Sequence, residues 1–226
     1  MHHRGCSGEP NRLPQSYHAA HTRDLDTVVG RLRARGEGPL AVVGVSIGAS
    51  CLLHWLAEAR RGLKLAVAVS PPFDLSCAAA RLSRGFSRLY QWHLLRALKR
   101  DLRAKAARGV ALPVTLAEMD ELRDFRRFDD RVTAPLHGFA GVDEYYRRAS
   151  PRRALKRIQD PTLILHALDD PFLEPGAVPG PEALSPAVTL ELAHSGGHVG
   201  FVGGWPWRPR YWLEERIPAA LACLRP

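Results

Sequence analysis

Residues 39–50 read PLAVVGVSIGAS. The valine-rich run has the character of a strand buried on both faces in a parallel sheet. Beyond Ser46 the apolar period becomes helical: Ala49, Leu52, Leu53 and Leu56 share one face, and Gly62 stops the pattern. At the junction, Gly44-Val45-Ser46-Ile47-Gly48 matches the G-x-S-x-G nucleophile elbow. A sharp strand-to-helix turn lifts the hydroxyl clear of the sheet, and the glycines remove Cβ atoms that would block close backbone approach. The amide of Ile47 then stands at a helix amino terminus, placed to donate to an oxyanion. The bland alternative is a small serine filling a tight turn, so the partners of Ser46 decide the reading.

Working outward, Thr22 is an N-cap candidate with Asp24 and Asp26 in the first turn. Leu25, Val28, Val29 and Leu32 then recur at helical spacing up to Gly36. Leu65–Val69 reads as a second buried strand. PTLILHALDD (161–170) and AVTLELAHSGGH (187–198) read as a third and a fourth, each running into polar residues, and a closing helix is expected from about Tyr211 to Cys223. Between them, 75–150 is arginine-rich and helical in pattern, with scattered aromatics. Strands alternating with helices predict an α/β fold: a mostly parallel sheet flanked by helices, built from 1–74 and 151–226, with 75–150 as a helical lid insertion.

In such sheets chemistry gathers beyond the carboxyl ends of the strands. A serine nucleophile needs a base, and the base an orienting acid, in the chain order Ser, Asp or Glu, His. Asp170 follows the third strand and precedes Pro171, which fixes a turn. It is preferred as the acid over the adjacent Asp169, which is left as a cap or ion-pair residue. His198 follows two glycines that free its loop to aim the ring inward, and is preferred as the base over His194 at the strand end. His166, within a strand, reads as a hydrogen-bonded core histidine. No HExxH or spaced Cys/His set points to a metal, and no phosphate-binding glycine motif points to a nucleotide.

The chain has 226 residues, 46% hydrophobic and 24% charged, as a globular domain does. No apolar run is long enough for a membrane helix, and the amino terminus lacks the apolar segment of a signal peptide. Cys6, Cys51, Cys77 and Cys223 are scattered, and read as reduced thiols of a cytoplasmic protein. The net charge of +9 is concentrated: residues 81–108 hold nine Lys/Arg against one Asp. A cluster confined to one segment reads as a solvated helix face with capacity for weak contact with an anionic membrane surface; nucleic acid is not expected as a partner.

RGCSGEPNRLPQSYHA (4–19), GVSIGAS (44–50), GFSRLYQWHLLRALK (85–99), FDDRVTAPLHGF (128–139), PTLILHALDDPF (161–172) and HSGGHVGF (194–201) resemble the α/β-hydrolase superfamily, and within it the YheT-like branch. The resemblance covers nearly the whole chain. It implies Ser46 as nucleophile, Asp170 as acid and His198 as base, with no cofactor. It also implies a small-molecule acyl ester substrate, either a short- or medium-chain ester or an acylglycerol, cleaved by hydrolysis or transferred to an alcohol. Two departures stand out. Gly48-Ala49-Ser50 replaces the family's usual Gly-Gly-Asn. The RGCSG block normally follows a fourth strand but here begins at Arg4. The expectation is therefore a partial fold: the family's oxyanion loop lies outside this chain, 40–45 is a sheet edge, and the chain alone is a candidate for inactivity.

Overall fold

The computed structural model describes residues 1–36, 38, 40–205 and 207–222. Its contacts define two compact units: Ala19–Phe73 with Ser150–Pro226, and Met1–His18 with Asp74–Ala149.

In the first of these, runs of β-branched and small apolar residues form β1 (Ala41–Val45), β2 (Leu65–Val69), β3 (Thr162–Ala167) and β4 (Val188–Ala193). They lie side by side in chain order, all parallel, as expected. The register matches Val45 to Val69, Val69 to Leu165 and Ala167 to Ala193, so the chain leaves every strand at the same edge of the sheet. β2 and β3 are central and almost wholly buried. β1 is an edge strand, and burial on both faces fails there: Val43 and Val45 are 41% and 46% exposed.

Two helices serve β1. α1 (Arg23–Ala34) begins after Thr22, yet the Thr22 side chain does not cap it; its hydroxyl donates to Glu58 Oε1 instead. α2 (Ile47–Glu58) buries Ala49, Leu52, Leu53 and Leu56, the face read from the sequence. Its Trp55 donates to Asp26 of α1 at 2.8 Å. The turn between α2 and β2 is held by Asp160, whose buried carboxylate accepts from the amides of Arg61 and Leu63 at 2.6 and 2.8 Å. After β4 comes an element absent from the sequence reading, an antiparallel hairpin of β5 (Val202–Trp205) and β6 (Arg208–Tyr211). The closing helix spans Trp212–Ala222; Cys223, where it was expected to end, lies outside the described residues.

The other unit is helical. α3 (Leu75–Leu82) and α4 (Ser87–Ala107) are followed by Leu116–Glu121, which starts on a complete capping box of Thr115 and Glu118, and later by Val142–Ala149. Leu95, Leu102, Met119, Leu122, Phe128 and Val132 form its core. Beside that core, the carboxyl of Asp129 accepts from Thr133 Oγ1 at 2.6 Å and from the Tyr146 hydroxyl at 2.9 Å. Desolvation pushes its pKa up to about 6 despite those bonds.

The expected division into 1–74 with 151–226 needs one correction. Residues 1–18 group with the helical unit, because the buried Lys105 donates to the Pro14 carbonyl and the Ser16 hydroxyl at 3.0 and 2.9 Å. Lys105 is thus a structural cation, not part of a solvated face. Arg108 adds a bond to the Pro10 carbonyl at 3.3 Å, and the His18 ring sits 4.4 Å from that of His137.

Candidate active site

Ser46 stands where β1 turns into α2, with φ 52° and ψ −120°, a backbone that side-chain-bearing residues rarely adopt. The turn is held from both sides. The Ser46 amide donates to the Val69 carbonyl at 2.8 Å, and the Ser46 carbonyl accepts from Ala49. Gly44 makes the turn possible: a Cβ there would lie 2.6 Å from the Gly48 carbonyl oxygen. Ile47 opens α2, where backbone N–H groups have no intrahelical partner. Ser50, at the family's usual asparagine position, buries a hydroxyl that has no hydrogen-bond partner among the described residues.

The shared sheet edge brings the three expected side chains together. Ser46 Oγ lies 2.7 Å from His198 Nε2, and His198 Nδ1 lies 2.9 Å from Asp170 Oδ2. With Nδ1 protonated and donating to the carboxylate, Nε2 is left to accept the serine proton. Asp170 is buried, and its other oxygen accepts from the Phe172 amide at 2.8 Å, so the carboxylate is fixed at both ends.

Asp169 has a different task from its neighbour. Its Oδ1 accepts from the amides of Gly196 and Gly197, at 2.8 Å each, and thereby pins the loop that carries His198. His194 closes β4 and does not enter this relay. His166 is buried as expected, but its Nδ1 has no hydrogen-bond partner among the described residues and lies 4.0 Å from Asp170 Oδ2. Desolvation holds its pKa below the ordinary imidazole value, which keeps a second positive charge away from Asp170.

Two contributors were missed in the sequence. Phe172 lies flat against the His198 ring, and Phe201 closes the loop beyond it: its amide donates to the Gly196 carbonyl at 2.7 Å. Phe201 packs among Val67, Val69, Leu163 and Leu165, so the loop that carries His198 is anchored in the core. The signal was available for both, since each is the aromatic that follows a candidate residue by two or three positions.

A parallel sheet with a serine in a strained strand-to-helix elbow, a histidine within hydrogen-bond reach and a buried carboxylate behind it has the form of an α/β hydrolase. The chain belongs to that family: its profile, described as the alpha/beta hydrolase fold, matches residues 1–204, and the relatives place it in the YheT-like branch. YheT of Escherichia coli (strain K12) is 46% identical over 96% of this chain and 65% of its own length. Phospholipase ABHD3 of Mus musculus is 33% identical over 93% of this chain and 53% of its own. Monoacylglycerol lipase of Saccharomyces cerevisiae is 32% identical over 88% and 46%. The chain therefore spans between about half and two thirds of these curated relatives. Among solved structures, an esterase of Pyrococcus furiosus, Pf2001, shares the fold with a TM-score of 0.52 at 17% identity, over 92% of this chain and 63% of that one.

Proposed function

We propose that the chain carries the catalytic residues of a serine ester hydrolase, with Ser46 as nucleophile, His198 as general base and acid, and Asp170 as the orienting carboxylate. The observation that carries the proposal is the continuous relay from Ser46 Oγ through both ring nitrogens of His198 to Asp170. Ser46 attacks an acyl carbonyl while its proton passes to His198 Nε2. The tetrahedral oxyanion forms beside the Ile47 amide and the amino terminus of α2, where preorganised donors contribute about 10²–10³ in turnover each. His198 then protonates the departing alcohol, leaving the acyl group on Ser46. A water then gives a proton to His198 as its oxygen bonds to the acyl carbon, and His198 returns that proton to Ser46 Oγ as the acyl–Oγ bond breaks and the carboxylic acid leaves; an alcohol in place of water yields a new ester. Asp170 stays ionised and holds the ring.

The substrate class is a carboxylic ester with an apolar acyl group, an acylglycerol or a related lipid ester. The relatives named as phospholipase and monoacylglycerol lipase support that choice. We place the protein in the cytoplasm. Cys6, Cys51 and Cys77 are thiols, which agrees with a reducing compartment, and among the described residues no helix is long and apolar enough to cross a membrane. Turnover of p-nitrophenyl butyrate tests the assignment. Asp170→Asn is expected to lose about 10⁴ in kcat with the fold intact. Full turnover in Ser46→Ala contradicts the proposal.

A further inference from the structure

The helical unit holds a cleft of about 720 Å³ between α4 and the segment 120–123. Arg88, Arg96, Lys99, Arg103 and Arg123 line it, against Asp120 as the acid among the described lining residues. Five cations facing one carboxylate leave a formal excess of four. Asp120 is already engaged, in an ion pair with Arg103, and its carbonyl lies 3.5 Å from Lys99 Nζ. Desolvation holds Lys99 below the usual ammonium pKa; Asp120 opposes that shift, and Arg103 and Arg123 beside it add to it. Such a concentration of like charge raises a positive potential over the cleft that attracts anions.

The floor and rim say what kind of anion. Leu95 and Leu122 are buried beneath the cleft, whereas Leu89 and Trp92 stand at its rim 58% and 61% exposed, with Phe86 at the start of α4 72% exposed. The Arg96 guanidinium lies over the Trp92 ring, 5.5 Å from its centroid, so the aromatic and the charge form one surface. A free anion would use the cations and leave these large apolar side chains in water. A bilayer surface uses both: phosphates meet Arg and Lys, and aromatic and leucine side chains sit at the headgroup boundary.

We propose that this cleft seats the phosphate-bearing headgroup of an anionic phospholipid, with Phe86, Leu89 and Trp92 lying in the bilayer interface. The binding does not depend on ester hydrolysis, so the Ser46→Ala protein serves as the reference and the two readings can fail separately.

The test is cosedimentation of Ser46→Ala full chain with vesicles of phosphatidylcholine, alone or mixed with phosphatidylglycerol. Binding is expected to the mixed vesicles only, and to fall steeply at about 0.5 M salt. Replacing Arg88, Arg96 and Lys99 together by Ala is expected to weaken it roughly 100-fold, since each cation near the surface is worth about fivefold. Leu89→Ser with Trp92→Ser, a surface change that preserves charge, is expected to weaken binding while leaving its salt dependence in place. The Trp205→Ala, Trp207→Ala hairpin variant is expected to bind as the reference does. Binding that survives both cleft variants, or that is lost only with the hairpin variant, overturns the assignment. Binding of inorganic phosphate without vesicle binding makes the cleft a site for a soluble phosphate ester, and overturns the lipid.

Discussion

Phe172 lies flat on the imidazole of His198, ring centroids 3.9 Å apart and planes within 6°. The same residue donates its amide to Asp170. One side chain and one backbone group of Phe172 therefore confine His198 and Asp170 together. Phe172→Ala is expected to let the ring turn away from Ser46 and to lower kcat on p-nitrophenyl butyrate by roughly 10–100-fold, with little change in KM. Phe172→Tyr, which keeps the stacked face, is expected to restore most of it. Equal kcat in Phe172→Ala would show that the stacking does not position the base.

Asp169 acts one step further back, through the loop amides of Gly196 and Gly197. Charge-assisted bonds of this kind contribute about 1.5–3 kcal/mol. Asp169→Ala is expected to loosen residues 194–200 and to raise amide hydrogen exchange there, with kcat falling and Asp169→Asn intermediate. Unchanged exchange at Gly196 and Gly197 contradicts this role.

Gly44 tests the elbow itself. A Cβ at this position would meet Gly48 and Ala49 backbone atoms at 2.6–3.0 Å, and backbone cannot swing aside as a side chain can. Gly44→Ala is expected to destabilise the sheet-bearing unit by about 1–3 kcal/mol, read as a lower urea midpoint. A midpoint unchanged from the parent would mean the turn is not held this tightly.

Two desolvated titrating groups give opposite pH dependences. His166 is held neutral below its ordinary pKa, so the unfolded chain takes up a proton that the folded chain refuses. Stability is therefore lost as pH falls below about 6.5. Asp129, raised to about 6, keeps a proton that the unfolded chain releases near the usual aspartate value of 3.8. It contributes stability at low pH that disappears as pH rises toward 6. Urea midpoints between pH 4 and 7 are expected to fall less on acidification in His166→Asn and more in Asp129→Asn. Identical slopes in parent and variants contradict the assignment.

Much of this was legible in the sequence because the strongest signals are local. The four parallel strands announce themselves as short apolar runs, and their placement brings Ser46, the Asp169-Asp170 pair and the His194 and His198 candidates beyond strand ends; Pro171 and the Gly196-Gly197 pair then favour Asp170 and His198. What was not legible depends on contacts distant in the chain. The hairpin of Val202–Trp205 and Arg208–Tyr211 is exposed throughout, so it has no buried face to impose an alternating pattern. Asp160 looks like any loop acid until its two amide donors, nearly a hundred residues earlier, are in place. Lys105 was readable in principle: it continues the 95, 98, 102 spacing of buried and partly buried leucines, a core position among surface cations. Its partners at Pro14 and Ser16 were not.

The central claim is that Ser46 is an activated nucleophile, and the most direct measurement is covalent labelling of the full chain by a fluorophosphonate, with the adduct mapped by mass spectrometry. The account predicts one adduct on the peptide containing Ser46, absent in Ser46→Ala and strongly slowed in His198→Ala. No adduct on the folded chain, or an adduct that persists in Ser46→Ala, would contradict it.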